Sequence, residues 1–284
     1  MTIYKKLIMF TKNAKLSGPL KTSPWRKAAM GSWHGAGDPT VYGFVDVDAG
    51  MAMEYIKKLR EKTGQRVTLS HFCGKIAAEI CRRHPEINRI LRFGKIYQRE
   101  TIDVFFMVAT DSAGEDLSGL VIRDADRKSI QEIAREMESR LDLIRSGRDP
   151  DFINVKRQLS RIPAGLVRSA LRLLGFIMFQ LNLWSPLLGC ARDAFGGVMV
   201  TNVGSLGIHG AWAPLIPYTH VPFVMSVGAL RDAPVVKDGV VCAGRLITIG
   251  ATVDHRIIDG LKASQISKTV QRIFENPEAE FGSI

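Results

Sequence analysis

Apolar and polar residues alternate through VYGFVDVD (41–48), which predicts a strand, and AMEYIKKLREKTG (52–64) then switches to helical spacing. Thr68 stands where it would cap a second helix; Phe72, Ile76 and Ile80 recur on one face of it, and Pro85 follows its end. IDVFFMVAT (102–110) and LSGLVI (117–122) read as strands around a loop that holds Gly114 and acids. SIQEIAREMESRLDLIRSG (129–147) is an amphipathic helix closed by Gly147. Further strands are predicted near 198–203, 222–230 and 245–253, and a last helix over 261–276, stopping before Pro277. Residues 1–40, punctuated by glycine and proline, read as an extended or irregular arm. The regular βα repeats of a doubly wound sheet are missing. No GxGxxG follows a strand and no GxxxxGK[ST] exists, so nucleotide-phosphate motifs are absent.

One stretch breaks the pattern. RIPAGLVRSALRLLGFIMFQLNLWSPLLGCAR (161–192) is basic first and apolar afterwards, and Arg172 and Arg192 bound 19 uncharged residues. That length is at the lower edge for a membrane span, but Gln180, Asn182, Ser185 and Pro186 interrupt it. Two alternatives remain open: a helix at an anionic membrane surface, with Arg161, Arg168 and Arg172 near phosphates, or a helix packed on its own core or a neighbouring copy.

The 284 residues allow one large domain or two ordinary ones, and a 46% hydrophobic, 24% charged composition fits a globular protein with a sizeable core. Cys73, Cys81, Cys190 and Cys242 form no CxxC pair, which argues against metal ribbons and a disulfide framework and fits a reducing, cytoplasmic setting. No secretory signal pattern is visible at the start. The net charge of +11 has two sources: residues 1–37 contribute +7 with no acid, and residues 151–193 contribute +4. The basic stretches lack interleaved aromatics and any helix-turn-helix, finger or RNP signature, so nucleic acid is not an expected partner.

Chemistry concentrates in DHRIIDG, Asp254 to Gly260, placed between a strand and a helix so that His255 faces out at an element end. A lone histidine is more often a hydrogen-bonded structural residue than a base. Here, however, the segment resembles the DHRxxDG signature of the catalytic domain of 2-oxoacid dehydrogenase acyltransferases, the dihydrolipoamide acyltransferase family. Four other stretches agree in the same order. SPWRKAAMGSW (23–33) is similar to the family's RKxIAxxM helix, and LSHFCGKIAAEICRRHPEIN (69–88) to its helix ending in PExN. VIRDADRKSIQEIAREM (121–137) is similar to VIRxADRKSLxEI, and residues 198–230 resemble TISNLGxxG…PIINPPxxAILGVG. The resemblance covers roughly 23–150 and 194–280.

It implies an α+β, chloramphenicol acetyltransferase-like fold, a mixed sheet covered by helices, in a trimer with active sites between subunits. It divides the chain into a basic arm (1–40) and a catalytic domain (41–284) with an insert at about 151–193, and no lipoyl or subunit-binding domain is recognisable. It implies acyl transfer between acyl-coenzyme A and a thiol of dihydrolipoamide type or another small acceptor, the lipoyl group coming from a separate protein, and no metal. His255 falls on the general base and Thr201 on the hydroxyl that donates to the oxyanion. Asp259 falls on the signature carboxylate that pairs with an arginine, for which Arg26 is the expected partner; Asn202, Gly204 and Gly260 complete the two loops. Departures are Glu115 and Asp116 in the acyl-entry loop, Tyr218 and His220 in place of an asparagine–proline stretch, and the insert. The competing reading is a catalytically silent trimeric scaffold, or a membrane-surface recruitment protein, of the same fold.

Overall fold

The computed structural model describes residues 11–21, 23, 39–109, 117–149, 153–154, 157, 162–237 and 239–284. The strands are β1 (Thr11–Lys12), β2 (Leu16–Pro19), β3 (Thr40–Asp48), β4 (Arg89–Arg92), β5 (Lys95–Arg99), β6 (Val104–Ala109), β7 (Leu117–Ile122), β8 (Leu183–Trp184), β9 (Val198–Asn202), β10 (Phe223–Val227), β11 (Arg231–Lys237) and β12 (Val240–Asp254). The helices are α1 (Gly50–Thr63), α2 (Leu69–Arg83), α3 (Ile130–Arg145), α4 (Ala164–Gly175), α5 (Gly260–Glu275) and α6 (Pro277–Phe281), and a π-helical turn, Phe176–Gln180, prolongs α4.

A seven-stranded mixed sheet runs β11-β12-β10-β9-β6-β7, with β3 on the far edge of β12. β9 lies parallel to both β10 and β6, and the other pairings are antiparallel. Side chains alternate across the pleat, so each strand feeds two faces. Val198, Val200, Phe223, Met225, Ile247 and Ile249 point to one face, where α1, α2, α3 and α5 cover them in the main core. α2 is central because Phe72, Ile76 and Ile80 are fully buried, and Phe72 meets Phe274 and Phe281 edge to face at 5.5 and 5.7 Å. The opposite face carries a smaller cluster around Phe105, Met199 and Val224.

The expected elements form, most of them within two residues of their predicted ends. Within the arm, the described residues 11–21 include two short strands: β1 pairs with β8 and β2 with β5. Besides β1, β2 and β8, the strands β4, β5 and β11 and the first five residues of β12 have no counterpart in the sequence reading. One part of the insert packs on the protein's own core and another part is exposed. Met178 and Phe179 are buried against Ile90, with Leu16, Leu174 and Trp184 around them, whereas the outer face of α4 stands in solvent. Among the described residues no helix is long and apolar enough to cross a membrane.

Candidate active site

The proposed base sits where β12 ends. Pairing with β3 continues one residue past the strand, the His255 amide donating to the Pro39 carbonyl at 2.8 Å. The chain then turns tightly, with the amides of Ile257 and Ile258 both donating to the Asp254 carbonyl at 2.9 Å. Burial of Ile257 and Ile258 pins that turn to the core. Asp254 is held by its near neighbour: Arg256 reaches back with Nη2 at 2.7 Å from Oδ2 and Nε at 3.0 Å from Oδ1.

This turn orients the imidazole. His255 Nδ1 lies 2.8 Å from the Ile258 carbonyl oxygen. A carbonyl can only accept, so Nδ1 carries the proton and, in the neutral ring, Nε2 carries the lone pair. His255 therefore presents a basic nitrogen away from its own backbone. Asp259 closes the turn as N-cap of α5, accepting the Lys262 amide at 3.1 Å. A side chain at Gly260 would meet nothing within 4 Å, so packing among the described residues gives no reason for glycine there. Arg26, the expected partner of Asp259, and Glu115 and Asp116 lie outside the described residues.

Thr201 lies elsewhere. On β9 it pairs with Met107 of β6 and Ser226 of β10, and through Ser226 it is level with Gly250 of β12. Alternation puts it on the face of Met199, away from the helices. Asn202 turns the other way, its Nδ2 donating to Ser70 Oγ on α2 at 2.7 Å. Asn202 also shapes the loop that follows, since its Oδ1 accepts the Ser205 amide at 3.1 Å. Gly204 is needed at that loop, because a Cβ there would fall 2.2 Å from the Gly228 carbonyl oxygen.

His255 lies five residue steps along the chain from Gly250, and two strand spacings separate β9 from β12. His255 and Thr201 of one chain are thus roughly 19 Å apart. The fold joins His255 with Asp259, and Thr201 with Asn202 and Gly204, but leaves these two groups at opposite ends of the sheet.

The 2-oxoacid dehydrogenases acyltransferase (catalytic domain) family matches residues 21–150 and 193–281. The chain belongs to this acyltransferase family. The stretch left out of the match, 151–192, falls on the insert expected at about 151–193. The dihydrolipoyllysine-residue acetyltransferase component of the pyruvate dehydrogenase complex from Staphylococcus aureus is 24% identical over 89% of this chain and 49% of its own length. The chain thus spans about half the length of the curated relatives it matches. Among solved structures, a probable dihydrolipoamide acetyltransferase from Listeria monocytogenes has a TM-score of 0.63 at 19% identity, covering 92% of this chain and 95% of that one. The dihydrolipoamide acetyltransferase of Azotobacter vinelandii, studied for the roles of a serine, a histidine and an asparagine in its catalytic mechanism, gives 0.63 at 18%, covering 92% and 94%. The fold is that of these acyltransferase cores.

Two departures from the family pattern touch each other. His220 adopts a left-handed backbone (φ 54°), and its ring packs on Phe179 of the insert with centroids 5.1 Å apart. Burial pushes its pKa down to about 4, with the charges of Arg256 and Arg99 acting the same way. It is a neutral packing shelf for the insert at neutral pH, beside the strand end that carries His255. Sequence reading missed Ser70, which orients Asn202; a serine next to a helix cap carries no signal of that contact. No group of three metal-ligating side chains occurs among the described residues.

Proposed function

We propose that this chain is a coenzyme A-dependent acyltransferase that moves an acyl group between acyl-coenzyme A and a thiol of dihydrolipoamide type. The observation that carries the reading is the Nδ1 contact of His255 with the Ile258 carbonyl, which leaves Nε2 as the proton acceptor. Nε2 takes the proton of the acceptor thiol as its sulfur attacks the thioester carbon. The negative charge that collects on the carbonyl oxygen receives the Thr201 hydroxyl proton in a hydrogen bond. Collapse of the tetrahedral intermediate breaks the carbon–sulfur bond to coenzyme A, and the departing thiolate recovers the proton from His255. Asp259 holds the turn by capping α5, with Arg26 as its expected ion-pair partner. A hydroxyl and an imidazole are also among the residue types studied in the Azotobacter enzyme.

Because one chain holds His255 and Thr201 so far apart, the reading requires each site to be shared, His255 from one subunit and Thr201 from the next, as in a trimer. The exposed aromatic group of Tyr42, Phe44 and Trp212 on the β3 edge supports such a contact, since it leaves apolar surface for a second copy. The lipoyl group would arrive on a separate protein, and the insert adds an anionic membrane surface as a further partner.

The test is thiol release from acetyl-, propionyl-, succinyl- and longer acyl-coenzyme A with dihydrolipoamide as acceptor. His255→Ala is expected to lower the rate by about 10²–10⁴, and Thr201→Ala by about 10²–10³ with Thr201→Ser retaining most of it. Unchanged turnover in folded His255→Ala removes the mechanism. No turnover with any donor from folded wild type points to another small acceptor or to the silent scaffold.

A further inference from the structure

The insert's outer face has a composition of its own. Leu166, Ser169, Leu173 and Phe176 follow one another at i, i+3, i+7 and i+10, which is a single stripe along α4 and its π-helical extension. Leu166, Leu173 and Phe176 are all exposed, Leu173 at 61%. Arg168 and Arg172, also exposed, line one flank of the stripe. From residue 162 to 192 the chain has three arginines and not one acid.

A second element brings another apolar side chain to the same place. The β4–β5 turn consists of Phe93 and Gly94, both at positive φ (45° and 71°). Phe93 is 63% exposed and meets Phe176 edge to face at 6.1 Å. The turn is fastened to the insert by one residue: the Gln180 carbonyl accepts from Arg92 Nε and Nη2 at 3.1 and 3.0 Å, and Gln180 Oε1 accepts the Phe93 amide at 2.9 Å. Packing holds the helix from behind, where a Cβ on Gly175 would lie 3.1 Å from the Tyr218 carbonyl oxygen. The patch is therefore a fixed ridge built from two parts of the fold, with its bulky side chains standing out into solvent.

We propose that this ridge docks on an anionic lipid surface, with Phe93, Leu173 and Phe176 entering the interface and Arg168 and Arg172 meeting lipid phosphates. An apolar stripe flanked by arginines and free of acids is the pattern of an interfacial helix. A symmetric contact with a second copy would bring like charges together, with no acid from residue 162 to 192 to offset them. At twelve residues α4 is about 18 Å long, too short to span a bilayer. The stripe lies in the segment outside the family match, so the docking is separate from the chemistry at His255, and either can fail while the other stands.

Sedimentation of the full chain with vesicles tests this. Phosphatidylcholine alone is compared with phosphatidylcholine–phosphatidylglycerol mixtures, at low and high salt. The chain is expected to pellet with the anionic vesicles only, and less at high salt. Arg168→Gln/Arg172→Gln should weaken binding roughly 30-fold, about fivefold per arginine. Leu173→Ser/Phe176→Ser, and separately Phe93→Ser, should reduce it with an unchanged circular dichroism spectrum. No pelleting with anionic vesicles at low salt overturns the proposal, as does equal pelleting with neutral ones or variants that bind like wild type. Sedimentation velocity without lipid provides the other arm: concentration-dependent assembly abolished by Leu173→Ser/Phe176→Ser assigns the ridge to a second copy and likewise overturns it.

Discussion

Asp193, at the end of the insert, is a sharp place to test how that segment is tied to the fold. Its Oδ2 accepts from Arg99 Nη1 at 2.6 Å, and its amide donates to Asn13 Oδ1 at 2.8 Å. Arg99 is 4% exposed and Asp193 7%. Asp193→Ala leaves the guanidinium buried with its charged partner gone; among the described residues, Arg99 Nε and Nη2 have no partner either. Breaking a buried pair in this way costs about 3–5 kcal/mol, a large share of the roughly 5–15 kcal/mol that holds a domain folded. Alanine at φ 44° adds up to about 1–2 kcal/mol, since aspartate tolerates the left-handed region better. The pair as such is worth far less than its breakage, because desolvating both charges offsets most of their attraction. Arg99→Met/Asp193→Ala should therefore recover most of the loss. Urea unfolding of wild type, both single variants and the double variant, at one protein concentration, gives the coupling energy. A loss below about 1 kcal/mol in Asp193→Ala, or a double variant no more stable than that single, would refute the argument.

Three further outcomes are expected. Burial, with the charges of Arg66 and Arg60 adding, pushes the pKa of His71 from 6.5 down to about 4, and its Nδ1 accepts the Thr68 amide that opens α2. Below pH 6.5 the unfolded chain binds a proton that the folded chain refuses. Stability is thus full above that pH and falls towards pH 4 by up to about 1.4 kcal/mol per unit; His71→Gln, which keeps an acceptor, should flatten the acid slope of a melting series, and an unaltered slope would count against it. Gly204→Ala forces a Cβ onto the Gly228 carbonyl, so thermal denaturation should show a loss of about 1–3 kcal/mol together with reduced acyl transfer. Asp259→Ala should cost at least about 1 kcal/mol as the cap of α5 is lost, and Asp259→Asn, which keeps a capping oxygen, should restore that part, measured by the same unfolding assay.

What the sequence made legible follows the range of the interactions involved. α2 is readable because Phe72, Ile76 and Ile80 repeat at helical spacing and all three are fully buried. The His255 turn is readable because its chemistry is packed into DHRIIDG. The β4–β5 hairpin is hidden: its strands are rich in arginine and its turn begins with Phe93, where asparagine or aspartate usually marks the left-handed pair. Gln180 and Asn182 read as interruptions of an apolar run, yet each clamps backbone elsewhere, Asn182 by exchanging two hydrogen bonds with Ala14 at 2.7 and 3.0 Å. The distance between His255 and Thr201 depends on strand register, which pairs residues tens of positions apart and leaves no local trace.

That distance has a consequence for how activity would respond to dilution and mixing. On the proposed mechanism, with base and hydroxyl at opposite ends of one sheet, catalytic geometry would be set at a contact between chains and not inside a core. Activity and association would then share one concentration dependence, and a lone subunit would be inert however well it folds. Two inactive homomers, one lacking the imidazole and the other the hydroxyl, would regain turnover once their subunits exchange, because some of the shared sites in the mixture draw an intact half from each.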